Sequence, residues 1–228
     1  MTEIKQKTFF GRRRGKGMSK AKENLILDAL PKYEITLPAN GKINLESLFD
    51  FKPKKFIFEI GYGDGNHLVE MAKLHPDIAF IGTEVFVNGN AAILKHIVNE
   101  DIKNIRIFPD DVNLLFPYLQ DNIFDRIFIL YPDPWPKNRN ENRRMVNINN
   151  LKIFHSLLKT DGNLFVASDH PVYIPWVLFC IYNTDLFSWD AEKSADFVNA
   201  PTDWISTKYE QKAIRESRKP IYLSFTKK

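Results

Sequence analysis

From Phe56 onward the chain alternates short apolar runs with segments of helical periodicity, and no other feature restricts its fold so tightly. Phe56 to Ile60, Ala79 to Thr83, Ile105 to Phe108, Phe124 to Tyr131 and Leu164 to Ala167 read as strands, with Pro220 to Phe225 as a last one. Between them, Asn66 to Leu74 carries Leu68, Met71 and Ala72 on one helical face, and Ala91 to Val98 follows the second strand. Ile148, Leu151, Phe154 and Leu158 recur at helical spacing, with Thr160-Asp161-Gly162 as the turn that ends that helix. Val172 to Ile181 is apolar nearly all round, which predicts a core helix too short to span a membrane. Strands alternating with helices in this way predict an α/β fold, a mostly parallel sheet with helices on both faces. No repeat or linker divides the 228 residues, so a single domain over 23–228 is expected.

Ahead of that domain, residues 1–22 hold Lys5, Lys7, Arg12, Arg13, Arg14, Lys16, Lys20 and Lys22 against one acid, Glu3. Gly11, Gly15 and Gly17 interrupt the cations, so the segment reads as a flexible basic arm, either a candidate for phosphate contacts or a solvated tail. The net charge of the whole chain is only +4, so a basic surface has to be local. The single cysteine, Cys180, excludes an intramolecular disulfide, and the five histidines show no metal-ligand spacing with it. With no signal-like apolar segment, the expectation is a cytoplasmic, metal-free protein off the membrane.

Where the first strand should turn into the first helix stands Glu59-Ile60-Gly61-Tyr62-Gly63-Asp64-Gly65. Glycines there let backbone N–H groups approach a ligand closely. A dinucleotide fingerprint would need its third glycine where Asn66 stands. The tighter Gly-x-Gly-x-Gly with a preceding acid resembles the S-adenosylmethionine loop of class I methyltransferases. Glu84, ending the second strand, is placed to accept from ribose hydroxyls. Asp111, after the third, is placed for an adenine amino group, and Glu59 for the amino-acid end of the ligand. Each acid has an alternative reading as a helix cap.

Past the fourth strand comes Tyr131-Pro132-Asp133-Pro134-Trp135-Pro136-Lys137, followed by Arg139, Arg143 and Arg144. Three prolines stiffen the exit, one carboxylate sits between two of them, and four cations fall within eight residues. At the carboxyl edge of an open sheet, this looks like a catalytic rim facing a polyanion. Trp135 either stacks on an exposed base or holds the loop from within.

The segment Asp133-Pro134-Trp135-Pro136-Lys137 with Arg139 and Arg143-Arg144 resembles the signature of the tRNA (guanine-N7)-methyltransferases. Glu59 to Gly65, Gly82-Thr83-Glu84, Thr207-Lys208-Tyr209-Glu210 and the basic Phe10-Gly11-Arg12-Arg13-Arg14-Gly15 agree with it, so the likeness runs from about residue 9 to the C-terminus. It implies a Rossmann-like class I methyltransferase fold with a seven-stranded, mostly parallel sheet. It implies a cofactor site for S-adenosyl-L-methionine at Glu59, Gly61, Gly63, Gly65, Glu84, Asp111 and Asp133, with Asp133 as the catalytic acid. It gives the tRNA substrate Lys137, Arg139, Asn140, Glu141, Asn142, Arg143, Arg144, Asp169, Thr207, Lys208, Tyr209 and Glu210. The family's Arg-His-x-Lys-Arg-Arg becomes Arg139-Asn140-Glu141-Asn142-Arg143-Arg144 here, one cation fewer. From spacing alone, Thr207-x-x-Glu210 is also a helix capping box, and Asp169 a turn or cap residue. A non-catalytic RNA-binding protein, or a methyltransferase for a protein or small molecule, would share parts of this pattern. Monomer and homodimer stay equally open.

Overall fold

The computed structural model describes residues 11, 13–15 and 17–228. Glu3, Lys5, Lys7, Phe10, Arg12 and Lys16 of the expected arm lie outside the described residues. The strands are β1 (Lys55–Ile60), β2 (Ile78–Thr83), β3 (Ile105–Phe108), β4 (Phe124–Leu130), β5 (Leu158–Ser168), β6 (Phe187–Trp189) and β7 (Ile221–Lys227). The helices are α1 (Lys20–Tyr33), α2 (Asn66–Leu74), α3 (Val87–Asn99), α4 (Val112–Leu115), α5 (Ile148–Leu157), α6 (Tyr173–Thr184), α7 (Ala195–Val198) and α8 (Lys208–Arg215). One seven-stranded sheet runs in the order β3-β2-β1-β4-β5-β7-β6. Pairing is parallel from β3 through β5, whereas β7 runs antiparallel to both β5 and β6.

The apolar runs are continuous because both faces of the sheet are covered. Along β1, Phe56, Phe58 and Ile60 enter one core cluster and Ile57 the other. The same alternation sends Ile127 and Ile129 of β4 to one side and Phe128 and Leu130 to the opposite side. Helices α5 and α6 cover the first face through Leu151, Phe154, Tyr173 and Val177. Helices α1, α2 and α3 cover the second through Ala29, Leu68, Val69, Ile93 and Leu94.

Three expectations need correcting. Lys20 and Lys22 belong to α1, so the boundary placed between residues 22 and 23 falls inside a helix. Thr160-Asp161-Gly162 does not separate helix from strand. Leu158 already pairs with Phe124, and the next registered pair is Arg126 with Asn163, so residues 159–162 bulge out of β5 with Asp161 at φ 58°. Helix α6 is not wrapped by core. A 3.6-residue period offers the sheet one stripe, here Tyr173, Val177, Cys180 and Ile181, and leaves Phe179 and Tyr182 at 55% and 86% exposure.

Candidate active site

Strand order reverses between β1 and β4, and a cleft of about 310 Å³ opens there at the carboxyl ends of the strands. Side crevices of open α/β sheets form at this topological position. Each wall descends from a strand end. β1 delivers Gly61 and Gly63, β2 delivers Glu84, β3 leads to Asp111, and β4 leads to Tyr131, Asp133 and Trp135. Asn142, Arg143 and Arg144 close the side beyond the proline turn, and Tyr209 from α8 leans over the glycine loop.

The glycine loop is held from below. Gly61 and Tyr62 donate their N–H groups to the Thr83 carbonyl at 2.8 and 3.2 Å, tying the loop to β2. Gly63, at φ 62°, donates to Oε2 of Glu84 at 2.9 Å, and Oε1 of the same carboxylate accepts from Phe86 N–H at 2.9 Å. Glu84 is therefore rigid, and its carboxylate lines the cleft. Its pKa is raised, first by burial and then by the nearby charge of Asp133, with the backbone donors opposing. Asp111 is buried and caps α4, its Oδ1 accepting from Asn113 N–H at 3.0 Å and from Asn113 Nδ2 at 2.7 Å. Capping and facing the cleft are thus both true of Asp111.

Asp133 stands on a turn with unusual backbone. Tyr131 and Trp135 flank it at φ 51° and 40°, where non-glycine residues cost about 1–3 kcal/mol each. The residue is exposed overall, yet the cleft wall strips water from its carboxyl and raises its pKa above the ordinary 3.8. Trp135 lines the cleft, and the exposed Arg143 guanidinium lies 5.1 Å from its ring centroid.

The remaining expected residues are spread around the cleft. Lys137, Arg139, Asn140 and Glu141 lie on or beside a 3-10 turn, Asn138–Arg143, outside the cleft lining. Glu59, Thr207 and Lys208 border a small recess next door, where Glu59 Oε2 meets Nδ1 of buried His67 at 2.7 Å. Gly65 caps α2 at φ 82°. Glu210 is sealed beneath α8. Its carboxylate accepts from Thr207 N–H at 3.2 Å, Trp204 Nε1 at 2.6 Å and the Tyr222 hydroxyl, completing a capping box. Asp169 forms an ion pair with Arg218, which also pairs with Glu216. Arg144 is buried, and its guanidinium is spent on the proline turn.

Sequence reasoning missed the arm's place in the site. Gly11 lines the cleft, the Arg13 carbonyl accepts from Val87 N–H at 3.0 Å, and Arg13 Nη1 donates to Asp110 at 2.6 Å. It also missed Gly89 and Asn90, whose only signal is a run of small residues at the start of α3. Asn90 accepts from the Tyr62 hydroxyl and donates to the Glu84 carbonyl, joining α3 to both cleft loops. Among the described residues, no cluster of His, Cys, Asp and Glu could hold a metal, and no helix is long and apolar enough to cross a membrane.

A seven-stranded sheet with a reversed seventh strand, a glycine loop after β1 and acids after β2 and β3 defines a class I methyltransferase. Two solved structures share the architecture: the 16S rRNA methyltransferase KamB and an antibiotic-related methyltransferase. The first has a TM-score of 0.59 at 12% identity, covering 86% of this chain and 98% of that one. The second has 0.53 at 17% identity, covering 76% and 87%. At such identities the likeness is one of fold. Residues 53–223 match the family model described as "Putative methyltransferase". Three proteins named tRNA (guanine-N(7)-)-methyltransferase are similar over nearly the whole chain. That of Rhodospirillum rubrum is 39% identical, covering 96% of this chain and 88% of that protein. Those of Chelativorans sp. and Bartonella henselae are 38% and 40% identical, covering 99% and 97% of this chain and 97% and 96% of theirs. The chain belongs to the tRNA (guanine-N7)-methyltransferase family.

The cleft suits the methyl donor of such enzymes, S-adenosylmethionine. Gly61, at φ 78°, has nothing within 4 Å of where a Cβ would sit, so its backbone edge is open to a ligand. Carboxylates at Glu84 and Asp111 offer acceptors to a ligand rich in hydroxyl and amino donors.

Proposed function

We propose that this chain methylates N7 of a guanine in tRNA, in the variable loop as the family resemblance implies, to give 7-methylguanosine. S-adenosylmethionine supplies a methyl group on a sulfonium; guanine N7 forms the new C–N bond with its lone pair as the C–S bond breaks toward sulfur. Guanine N7 has no proton to lose, so the chain needs no strong base. Its task is alignment and charge. Glu84 and Asp111 would hold the ribose and adenine ends of the donor, with the glycine loop beside them. Asp133, on a stiffened turn, accepts from the N1–H and amino edge of guanine or acts through its field. Either way it favours the positive charge that grows on the purine. Lys137, Arg139 and Arg143 on the outer turn supply salt-sensitive attraction for the folded RNA. A tRNA substrate is consistent with a protein that works in the cytoplasm.

The observation that carries this reading is one cleft lined by Glu84, Asp111 and Asp133, with Arg143 at its rim. The test is incubation with methyl-labelled S-adenosylmethionine and unmodified tRNA, beside ribosomal RNA and protein acceptors, followed by nuclease digestion and mass spectrometry. 7-Methylguanosine in tRNA is expected. Label in another acceptor, or at another atom, would overturn the reading.

A further inference from the structure

We infer that Arg144 is a positioning residue for Asp133, a lock on the proline turn rather than a contact for RNA phosphate. The inference rests on the role of Asp133 proposed above. The turn from Pro132 to Pro136 is poor in means of holding itself. Three of its five residues are prolines with no N–H to donate, so a donor from elsewhere has to fasten its carbonyls. Arg144 provides that donor. Its Nε donates to the Pro134 carbonyl at 3.1 Å and its Nη2 to the Trp135 carbonyl at 3.0 Å, the two residues directly after Asp133.

The Cζ of the same guanidinium lies over the ring of Trp176 on α6, 4.6 Å from its centroid. Trp176 is in turn fixed by its Nε1, which donates to the Val146 carbonyl at 2.7 Å. A chain of contacts therefore runs from α6 through Arg144 to the turn. At 3% exposure, Arg144 cannot meet a phosphate without being pulled out of this packing. Its neighbour Arg143 is exposed and faces the rim, so the two adjacent arginines divide the work. The lock needs a planar fork that both stacks and donates along one edge. A lysine ammonium is a point charge on a flexible stem and cannot hold both carbonyls along one rigid edge while its body covers the ring, although it binds phosphate well.

That difference gives the test. Single-turnover and steady-state methylation of tRNA are measured for wild type, Arg144→Lys, Arg144→Met and Arg143→Met, with cofactor affinity by calorimetry as a check on folding. A product from the wild-type protein other than 7-methylguanosine in tRNA would remove the underlying reading before any variant is compared. For a lock, Arg144→Lys and Arg144→Met lose turnover alike, by about a hundredfold as the acid drifts by an ångström. Both keep the wild-type KM for tRNA and the wild-type salt slope. Arg143→Met instead lowers the salt slope by about one contact. Recovery of turnover in Arg144→Lys, or a reduced salt slope in Arg144→Met, overturns the inference. Should either variant fail to fold, Trp176→Leu removes the ring beneath the guanidinium and leaves every rim cation in place. Loss of turnover at unchanged tRNA KM then supports the lock, and wild-type turnover overturns it.

Discussion

At the scale of single residues, the site works through groups whose surroundings oppose their ordinary behaviour. Asp133 has its pKa raised by burial of its carboxyl, and Glu84 has its own raised by burial and by Asp133. In the proposed roles both act as carboxylates, so turnover should fall as pH drops through these raised values. The acid limb therefore lies above the ordinary aspartate pKa of 3.8, and a pH–rate profile measures it. Asp133→Asn should remove that part of the limb and lower turnover by about 10²–10³, the usual scale for one electrostatic group, with little change in tRNA affinity. Equal losses in turnover and affinity would make Asp133 a binding group only. Gly89 shows the same reversal in packing. Glycine-to-alanine changes inside helices ordinarily stabilise by about 1 kcal/mol. Here an added Cβ would stand 2.2 Å from the Gly63 carbonyl oxygen, a backbone atom that cannot step aside. Gly89→Ala should lower both Tm and cofactor affinity, measured by thermal melting and calorimetry; a rise in Tm would contradict the close approach of α3 to the glycine loop.

At the scale of elements, α8 carries Tyr209 to the cleft, and Glu210 anchors it. Three donors converge on this carboxylate, and the Tyr222 hydroxyl stays protonated because burial and Glu210 push its pKa up. Glu210→Gln would turn three charge-assisted bonds into neutral ones and reverse the bond to the Tyr222 hydroxyl, so a cost of about 1–3 kcal/mol is expected, or several degrees in Tm for a chain of this length. Thr207→Ala, which removes only one cap bond, should cost about 1 kcal/mol. Melting curves that rank the two the other way would refute the buried network. The box itself was legible, because Thr-x-x-Glu is a local pattern. That the box is tied to Trp204 and Tyr222 was not, since those contacts arise from tertiary packing. The same division runs through the fold. Helix α2 and strand β3 have the bounds read from periodicity, since each is flanked by turn residues and buries one clear pattern. Helix α1 went unread because its charged and apolar residues make a weak stripe with Pro31 inside. Strand β6 has three residues and acquires its identity only by pairing with β7. Within the site, Glu84, Asp111 and Asp133 were legible as acids following strands, whereas the inward turn of Arg144 depends on α6, far along the chain.

At the scale of the whole molecule, Gly11, Arg13 and Gly15 join parts that the sequence keeps far apart. The Arg13 carbonyl and Gly15 N–H bond to Val87 N–H and Asn88 Oδ1 at the start of α3, just past Glu84. The Arg13 guanidinium bonds to Asp110, next to Asp111. Arg13 and Gly15 thereby bridge the two loops that carry Glu84 and Asp111 to the cleft. Arg13→Ala should weaken cofactor binding by no more than about fivefold, because the Arg13–Asp110 pair is half exposed and such pairs contribute about 0.2–1 kcal/mol. Removal of residues 1–15 should weaken it further and also flatten the salt dependence of tRNA binding, with Tm nearly unchanged. If the arm serves both ligands, tRNA must alter donor affinity by the same factor as donor alters tRNA affinity. Titrating each ligand with and without the other, in the full chain and the truncated one, measures that factor. Coupling that vanishes on truncation places the arm between the two sites; coupling that survives assigns the link to the proline turn alone.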